Sequence, residues 1–138
     1  MKTVLFVDDD EAFRILCKRI FEDEGYRVVL AQDGAEAIDA LGAESPDVAV
    51  LDVRMPRKTG LDLAEEISGV NPRIPIIFNT CHDDICAIDP RSRFAAACVD
   101  KSSDFTELAL AVSRVLSTPN PSGVFRFGLP RRPGLADV

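Results

Sequence analysis

Apolar runs recur along the chain at Thr3–Val7, Arg27–Ala31, Val48–Leu51, Ile74–Phe78 and Ala95–Val99, separated by stretches of helical spacing. This alternation predicts a parallel sheet with helices on both faces, because strands that are apolar throughout must be covered twice. In the first connection Ala12, Ile15, Leu16, Arg19 and Ile20 fall at helical spacing, and Gly25 stands where a helix should stop. Asp33, three residues ahead of Glu36, marks a capped start for a second helix through Ala37, Ile38 and Leu41. A third helix is expected to begin at Gly60–Ile67, and Asn71-Pro72 interrupts the chain before the next strand. The helix expected over His82–Phe94 contains Pro90, so it should be short, shifted or broken. Ser103–Glu107 caps a last helix with Leu108, Ala111, Val112, Val115 and Leu116 on its apolar face.

From Ser117 onward the periodicity ends. Residues 1–117 read as one domain, and 118–138 as a Pro/Gly-rich, flexible tail. Val124-Phe125-Arg126-Phe127 is its one segment with strand-like alternation, which keeps two alternatives open: a docking peptide, or an edge strand laid on the domain.

Composition narrows the classes. With 138 residues, 46% hydrophobic and 28% charged, the chain can bury the core of a single soluble domain. A net charge of -7 argues against direct binding to nucleic acid or to an anionic membrane, which require clustered Lys and Arg. No apolar run is long enough for a signal-peptide core or a membrane span, so a cytoplasmic protein is expected. Cys17, Cys81, Cys86 and Cys98 lack paired metal-ligand spacing and are expected to be reduced thiols. Cys81, His82 and Cys86 lie close together, but without a C-x-x-C partner elsewhere they read as loop and core residues rather than a zinc site.

In an open parallel sheet, ligands bind beyond the carboxyl ends of the strands. Here the first run leads into Asp8-Asp9-Asp10, the third into Asp52, the fourth into Asn79-Thr80 and the fifth into Asp100-Lys101. Each residue alone has an ordinary explanation as a turn, cap or solvated charge. Together they bring the carboxylates of Asp8, Asp9 and Asp52, the hydroxyl of Thr80 and the ammonium of Lys101 to one rim. Carboxylates so close repel unless a hard divalent cation joins them, and Mg²⁺ is the natural choice. Such a site can admit an anionic phosphoryl donor, with Asp52 as carboxylate nucleophile and Lys101 stabilising charge on the transferring oxygens. Thr80 can bond a phosphoryl oxygen after transfer.

Val7-Asp8-Asp9-Asp10, Leu51-Asp52-Val53-Arg54-Met55-Pro56 with Gly60-Leu61, Pro75–Thr80 and Asp100-Lys101 resemble the motifs of response-regulator receiver domains over residues 1–117. The resemblance implies a flavodoxin-like, doubly wound α/β fold, with a five-stranded parallel sheet of order 2-1-3-4-5 and helices on both faces. It implies Asp52 as phosphoacceptor, and Mg²⁺ held by Asp9, Asp52 and the backbone carbonyl of Arg54, with Asp8 acting through water. It further implies a phosphohistidine donor on a sensor histidine kinase or histidine phosphotransfer protein. On this reading the protein is a stand-alone signalling receiver acting through partners, self-catalysing phosphotransfer rather than working as a conventional enzyme.

Three positions depart from the family pattern. Ser102 stands where the family has a proline in a cis peptide. A trans bond is expected here, since a cis bond before a non-proline residue costs ~2.5–4 kcal/mol. Cys98 replaces the family's switch aromatic, and Pro90 falls in a helix that family members use for signalling. Arg54 and His82 occupy positions that influence acyl-phosphate hydrolysis. Two other functions compete with the receiver reading: a Mg²⁺-dependent phosphohydrolase using Asp8 as nucleophile and Asp10 as acid/base, and a pseudo-receiver scaffold that is never phosphorylated.

Overall fold

The computed structural model describes residues 1–55, 57–80, 95–101 and 105–117, and the backbone of 125–127. The strands are β1 (Thr3–Val7), β2 (Arg27–Ala31), β3 (Val48–Leu51), β4 (Ile76–Thr80), β5 (Ala97–Asp100) and β6 (Phe125–Phe127). Among the described residues the helices are α1 (Glu11–Asp23), α2 (Gly34–Glu44), α3 (Gly60–Val70) and α4 (Phe105–Ser117). The sheet order is β2-β1-β3-β4-β5-β6, and every pairing is parallel. The expected 2-1-3-4-5 order therefore holds, and a sixth strand extends the sheet at β5. That strand lies within residues 118–138, of which the backbone of 125–127 is described.

Successive side chains of each strand point to opposite layers, which explains why β1, β3 and β4 are buried throughout. Leu5, Val7, Ala49, Leu51, Ile76 and Phe78 pack with Ala37 and Leu41 of α2 and Leu63, Ala64 and Ile67 of α3. On the other side Val4, Phe6, Val48, Val50, Ile77 and Val99 meet Cys17 and Phe21 of α1 and Leu108, Ala111, Val112 and Val115 of α4. Fully burying a side chain of this kind is worth roughly 1.5–3 kcal/mol, so the two layers supply the main stabilising term.

Local signals end the elements as expected at several points. Asp33 caps α2 by accepting the Glu36 N–H at 2.9 Å. Gly25 adopts φ +94° as the chain leaves α1, and the Tyr26 N–H then reaches back to the Phe21 carbonyl at 3.0 Å. Two strands start later than expected. Pro75 has no N–H for the ladder, so β4 begins at Ile76, and pairing of Asn79 and Thr80 with β5 carries it past Phe78 to Thr80. β5 pairs Ala97–Asp100 with Ile77–Thr80, which carries it past Val99 to Asp100.

The face of α1 also differs from expectation. Ile15 and Leu16 are exposed, whereas Cys17 and Phe21 are buried, with Phe13 and Ile20 packed beside them. The helix is rotated toward its aromatic side because Phe21 meets Phe6 at a ring separation of 4.9 Å. The segment containing His82, Cys81, Cys86 and Pro90 lies outside the described residues, as does Ser102. Cys17 is a free, buried thiol as expected, while Cys81 and Cys86 lie outside the described residues.

Candidate functional site

Strand pairing continues one residue past β1 and β3. Asp8 donates its N–H to the Ala31 carbonyl at 3.1 Å, and Asp52 donates to the Val7 carbonyl at 2.9 Å. The two aspartates are thereby fixed side by side at the ends of adjacent central strands. Both are buried, while Asp9 is exposed at the mouth. Ligand oxygens of Asp8, Asp9 and Asp52 all lie within 4.8 Å of one another.

Gly60 is required for this placement. A Cβ there would fall onto the Asp52 carbonyl oxygen and 2.8 Å from Val53 Cα. The Gly60 N–H donates to the Val53 carbonyl at 2.8 Å, and Thr59 caps α3 by accepting from Asp62. The chain therefore turns tightly beneath Asp52 and passes straight into α3.

Lys101 comes to the same point from β5. Its N–H donates to the Thr80 carbonyl at 2.8 Å, joining the ends of β5 and β4. Its Nζ donates to Asp8 Oδ2 at 2.7 Å and lies 3.7 Å from Asp52 Oδ2. Thr80 is fully buried at the end of β4, opposite Asp100. The Arg54 N–H donates to Asp52 Oδ1 at 3.3 Å, which places the Arg54 backbone two residues along the loop that carries Asp52.

The electrostatics follow from burial. The Asp52 carboxyl is pushed up from 3.8 to about 6, first by loss of water and then by the charge of Asp8, against the opposing pull of Lys101 and the Arg54 N–H. Burial likewise pushes the Cys17 thiol up to about 12, so it stays protonated and unreactive near neutral pH. A cluster of carboxylate oxygens in which one acid resists ionisation suits a hard, oxygen-seeking divalent cation.

Asp10 does not join the cluster. It is exposed and caps α1, accepting the Phe13 N–H at 3.3 Å. Its own N–H instead donates to Asp8 Oδ1 at 2.9 Å. Three residues near the site had not been singled out from the sequence. Arg14 Nη1 donates to the Asp8 carbonyl at 2.7 Å, and the Phe13 ring lies under Lys101 while stacking on Phe105. An arginine six residues after a strand-end aspartate is the one signal that could have pointed to the first. The aromatic contacts join residues too distant in sequence to leave any local pattern.

This fold and this rim define a class, the receiver, and comparison with known proteins agrees. The family model for the response regulator receiver domain matches residues 4–113, and the chain belongs to that family. Receiver domains are signalling domains of two-component response regulators. The response regulator MprA of Mycobacterium tuberculosis is 42% identical over 82 residues, covering 59% of this chain and 36% of the relative. The match thus spans about a third of the length of that curated relative. Among solved structures, the response regulator TrrA of Thermotoga maritima in complex with Mg²⁺-BeF is 34% identical, covering 83% of this chain and 99% of that one, with a TM-score of 0.79. TrrA in complex with the histidine kinase ThkA is 35% identical, covering 85% of this chain and 100% of that one, with a TM-score of 0.77.

Proposed function

We propose that Asp52 accepts a phosphoryl group from a phosphohistidine on a sensor histidine kinase or histidine phosphotransfer protein, and that residues 1–117 then signal by binding a partner. The observation that carries this reading is the unequal engagement of two neighbouring buried carboxylates. Both oxygens of Asp8 accept short bonds, from the Asp10 N–H and from Lys101. Asp52 Oδ1 accepts one long bond from Arg54, and its Oδ2 stands 3.7 Å from Lys101. Asp52 is therefore the carboxylate with a lone pair to offer.

In the proposed step an Asp52 oxygen attacks phosphorus and the P–N bond to the donor imidazole breaks. The released electron pair stays on that nitrogen, which takes up a proton from solvent. Lys101 offers its ammonium to the transferring oxygens, and the Thr80 hydroxyl bonds one of them in the product. Asp8, Asp9, Asp52 and the Arg54 carbonyl would hold Mg²⁺, which when bound offsets their charge and polarises the phosphoryl oxygens. Replacing the carboxylate by an acyl phosphate adds roughly one negative charge and new acceptor oxygens, which can shift a two-state equilibrium at the β4–β5 end of the rim. Exposed Ile15 and Leu16 on α1 offer an apolar landing face for a protein donor beside the Asp8–Asp10 loop. The compartment proposed is the cytoplasm, with no direct contact to nucleic acid or membrane. No helix among the described residues is long and apolar enough to cross a membrane.

The phosphohydrolase alternative needs Asp8 as nucleophile and Asp10 as acid/base, but both Asp8 oxygens are already bonded and Asp10 caps α1 outside the carboxylate cluster. Incubation with a small phosphodonor and Mg²⁺ distinguishes the readings. Label abolished in Asp52→Ala but still formed, more slowly because a metal-holding carboxylate is gone, in Asp8→Asn supports phosphoryl acceptance on Asp52. Rapid phosphate turnover dependent on Asp8 would establish the hydrolase, and Mg²⁺ binding without label from several donors would establish the scaffold.

A further inference from the structure

Lys101 is held on three sides. Asp8 Oδ2 lies 2.7 Å from its Nζ, Asp52 Oδ2 lies at 3.7 Å, and the face of Phe13 lies below with its centroid at 4.5 Å. The Lys101 side chain is only 16% exposed, so the ring's negative face acts on a cation largely removed from water. Phe13 is itself held. Its ring stacks on Phe105, the first residue of α4, with centroids 5.6 Å apart and planes 22° from parallel. Its backbone N–H is bonded to Asp10, in the same loop that presents Asp8 and Asp9. One aromatic pair thus spans α1 and α4 and contacts the ammonium that the carboxylates also bind.

We propose that Phe13, backed by Phe105, is a positioning residue that holds the Lys101 ammonium at the rim, between Asp8 and Asp52, where the incoming phosphoryl oxygens need it. This rests on the proposed phosphorylation of Asp52 and adds a residue to that site. Without the ring, water enters beneath Lys101 and its ammonium loses one of the contacts that fix it at the rim. The contact is also suited to reporting. When phosphoryl oxygens draw the ammonium toward Asp52, the pull on Phe13 changes, and that ring bridges two helices on one face of the sheet.

The bland explanation is that Phe13 and Phe105 are merely core packing, since both border the α1–α4 layer. Fluorination separates the two, because it drains the ring's negative face while nearly preserving its shape. The full chain would be prepared with monofluoro- and trifluorophenylalanine at position 13, together with Phe13→Tyr and Phe13→Leu. The initial rate of Asp52 labelling by acetyl phosphate with Mg²⁺, and the ring-current shift of the Lys101 ε-methylene protons by NMR, would then be measured.

The proposal expects labelling to fall in order of fluorine content, by about three- to tenfold at trifluoro, with an unchanged melting temperature. It expects Phe13→Tyr to label like the parent, and the upfield Lys101 shift to vanish in Phe13→Leu. Should Phe13→Leu fail to fold, the fluorinated series still decides. A trifluoro protein labelled at the parental rate would overturn the positioning role and leave Asp52 phosphorylation standing. A parent that takes no label on Asp52 would overturn both.

Discussion

The β1–α1 loop and the β3–α3 loop face each other across one rim and present buried aspartates of similar exposure, yet they hold them differently. In the first, Asp8 is clamped by the Asp10 N–H, by Lys101 and, through its carbonyl, by Arg14. In the second, Asp52 is set by backbone packing against Gly60, and its carboxylate is only loosely bonded. The contrast shows how one sheet edge can separate two roles for the same side chain. A carboxylate with satisfied oxygens is a fixed charge, whereas one positioned through its backbone keeps its oxygens for chemistry.

The largest effect should come from removing the group the two loops share. Lys101→Ala is expected to lower the initial rate of labelling by ~10²–10³-fold, the scale for losing a preorganised charge at a phosphoryl transfer site. The measurement is the rate with a small donor at saturating Mg²⁺. A loss below tenfold would mean that Lys101 serves Asp8 alone.

Next in size is the pH response of Asp52 in metal-free protein. Its folded-state pKa lies near 6, above the ordinary 3.8, so the folded chain holds that proton more tightly than the unfolded chain does. The resulting stabilisation is fully present below pH 3.8 and is lost as the pH rises through about 6. Asp52→Asn should therefore be more stable than the parent near pH 7.5, by up to about 3 kcal/mol, and the difference should shrink toward pH 4. Urea melts across that range would show it, and a pH-independent difference would contradict the assigned cause.

Gly60→Ala tests the backbone half of the comparison. The added methyl forces the turn away from Asp52 and should cost about 1–3 kcal/mol, with slower labelling. At Gly42 of α2 a Cβ meets nothing within 4 Å, so Gly42→Ala should instead stabilise the protein by roughly 0.5–1 kcal/mol. Thermal melts of the two variants check this directly. The smallest effect is expected at Arg14. Arg14→Met removes one bond to the Asp8 carbonyl and should cost about 1 kcal/mol, with a modest loss of Mg²⁺ affinity read by titration calorimetry.

Much of this arrangement is legible in the chain because the central strands are unbroken apolar runs that end in polar residues. That pattern alone carries Asp8, Asp9, Asp52, Thr80 and Lys101 to one rim. Boundaries are less legible: β4 begins at Ile76 because Pro75 has no hydrogen for the ladder, a detail that hydropathy does not register. The rotation of α1 was also hidden, since Ile15-Leu16 and Phe13-Cys17 make competing apolar stripes and only the partner surface decides between them. Phe13 and Phe105 meet Lys101 through tertiary folding, which leaves no periodic trace. The β6 pairing rests on backbone hydrogen bonds at an open edge, where three residues such as Phe125–Phe127 give little sequence signal.

The claim that Asp52, rather than its better-bonded neighbour, takes the phosphoryl group can be tested at a single residue. After labelling with a small phosphodonor and Mg²⁺, borohydride reduction converts an acyl phosphate to an alcohol, which peptide mass spectrometry can locate. Conversion of Asp52 to homoserine, absent at Asp8 and Asp9 and absent altogether in Asp52→Asn, is the predicted result. Reduction at Asp8, or undiminished label in Asp52→Asn, would contradict it.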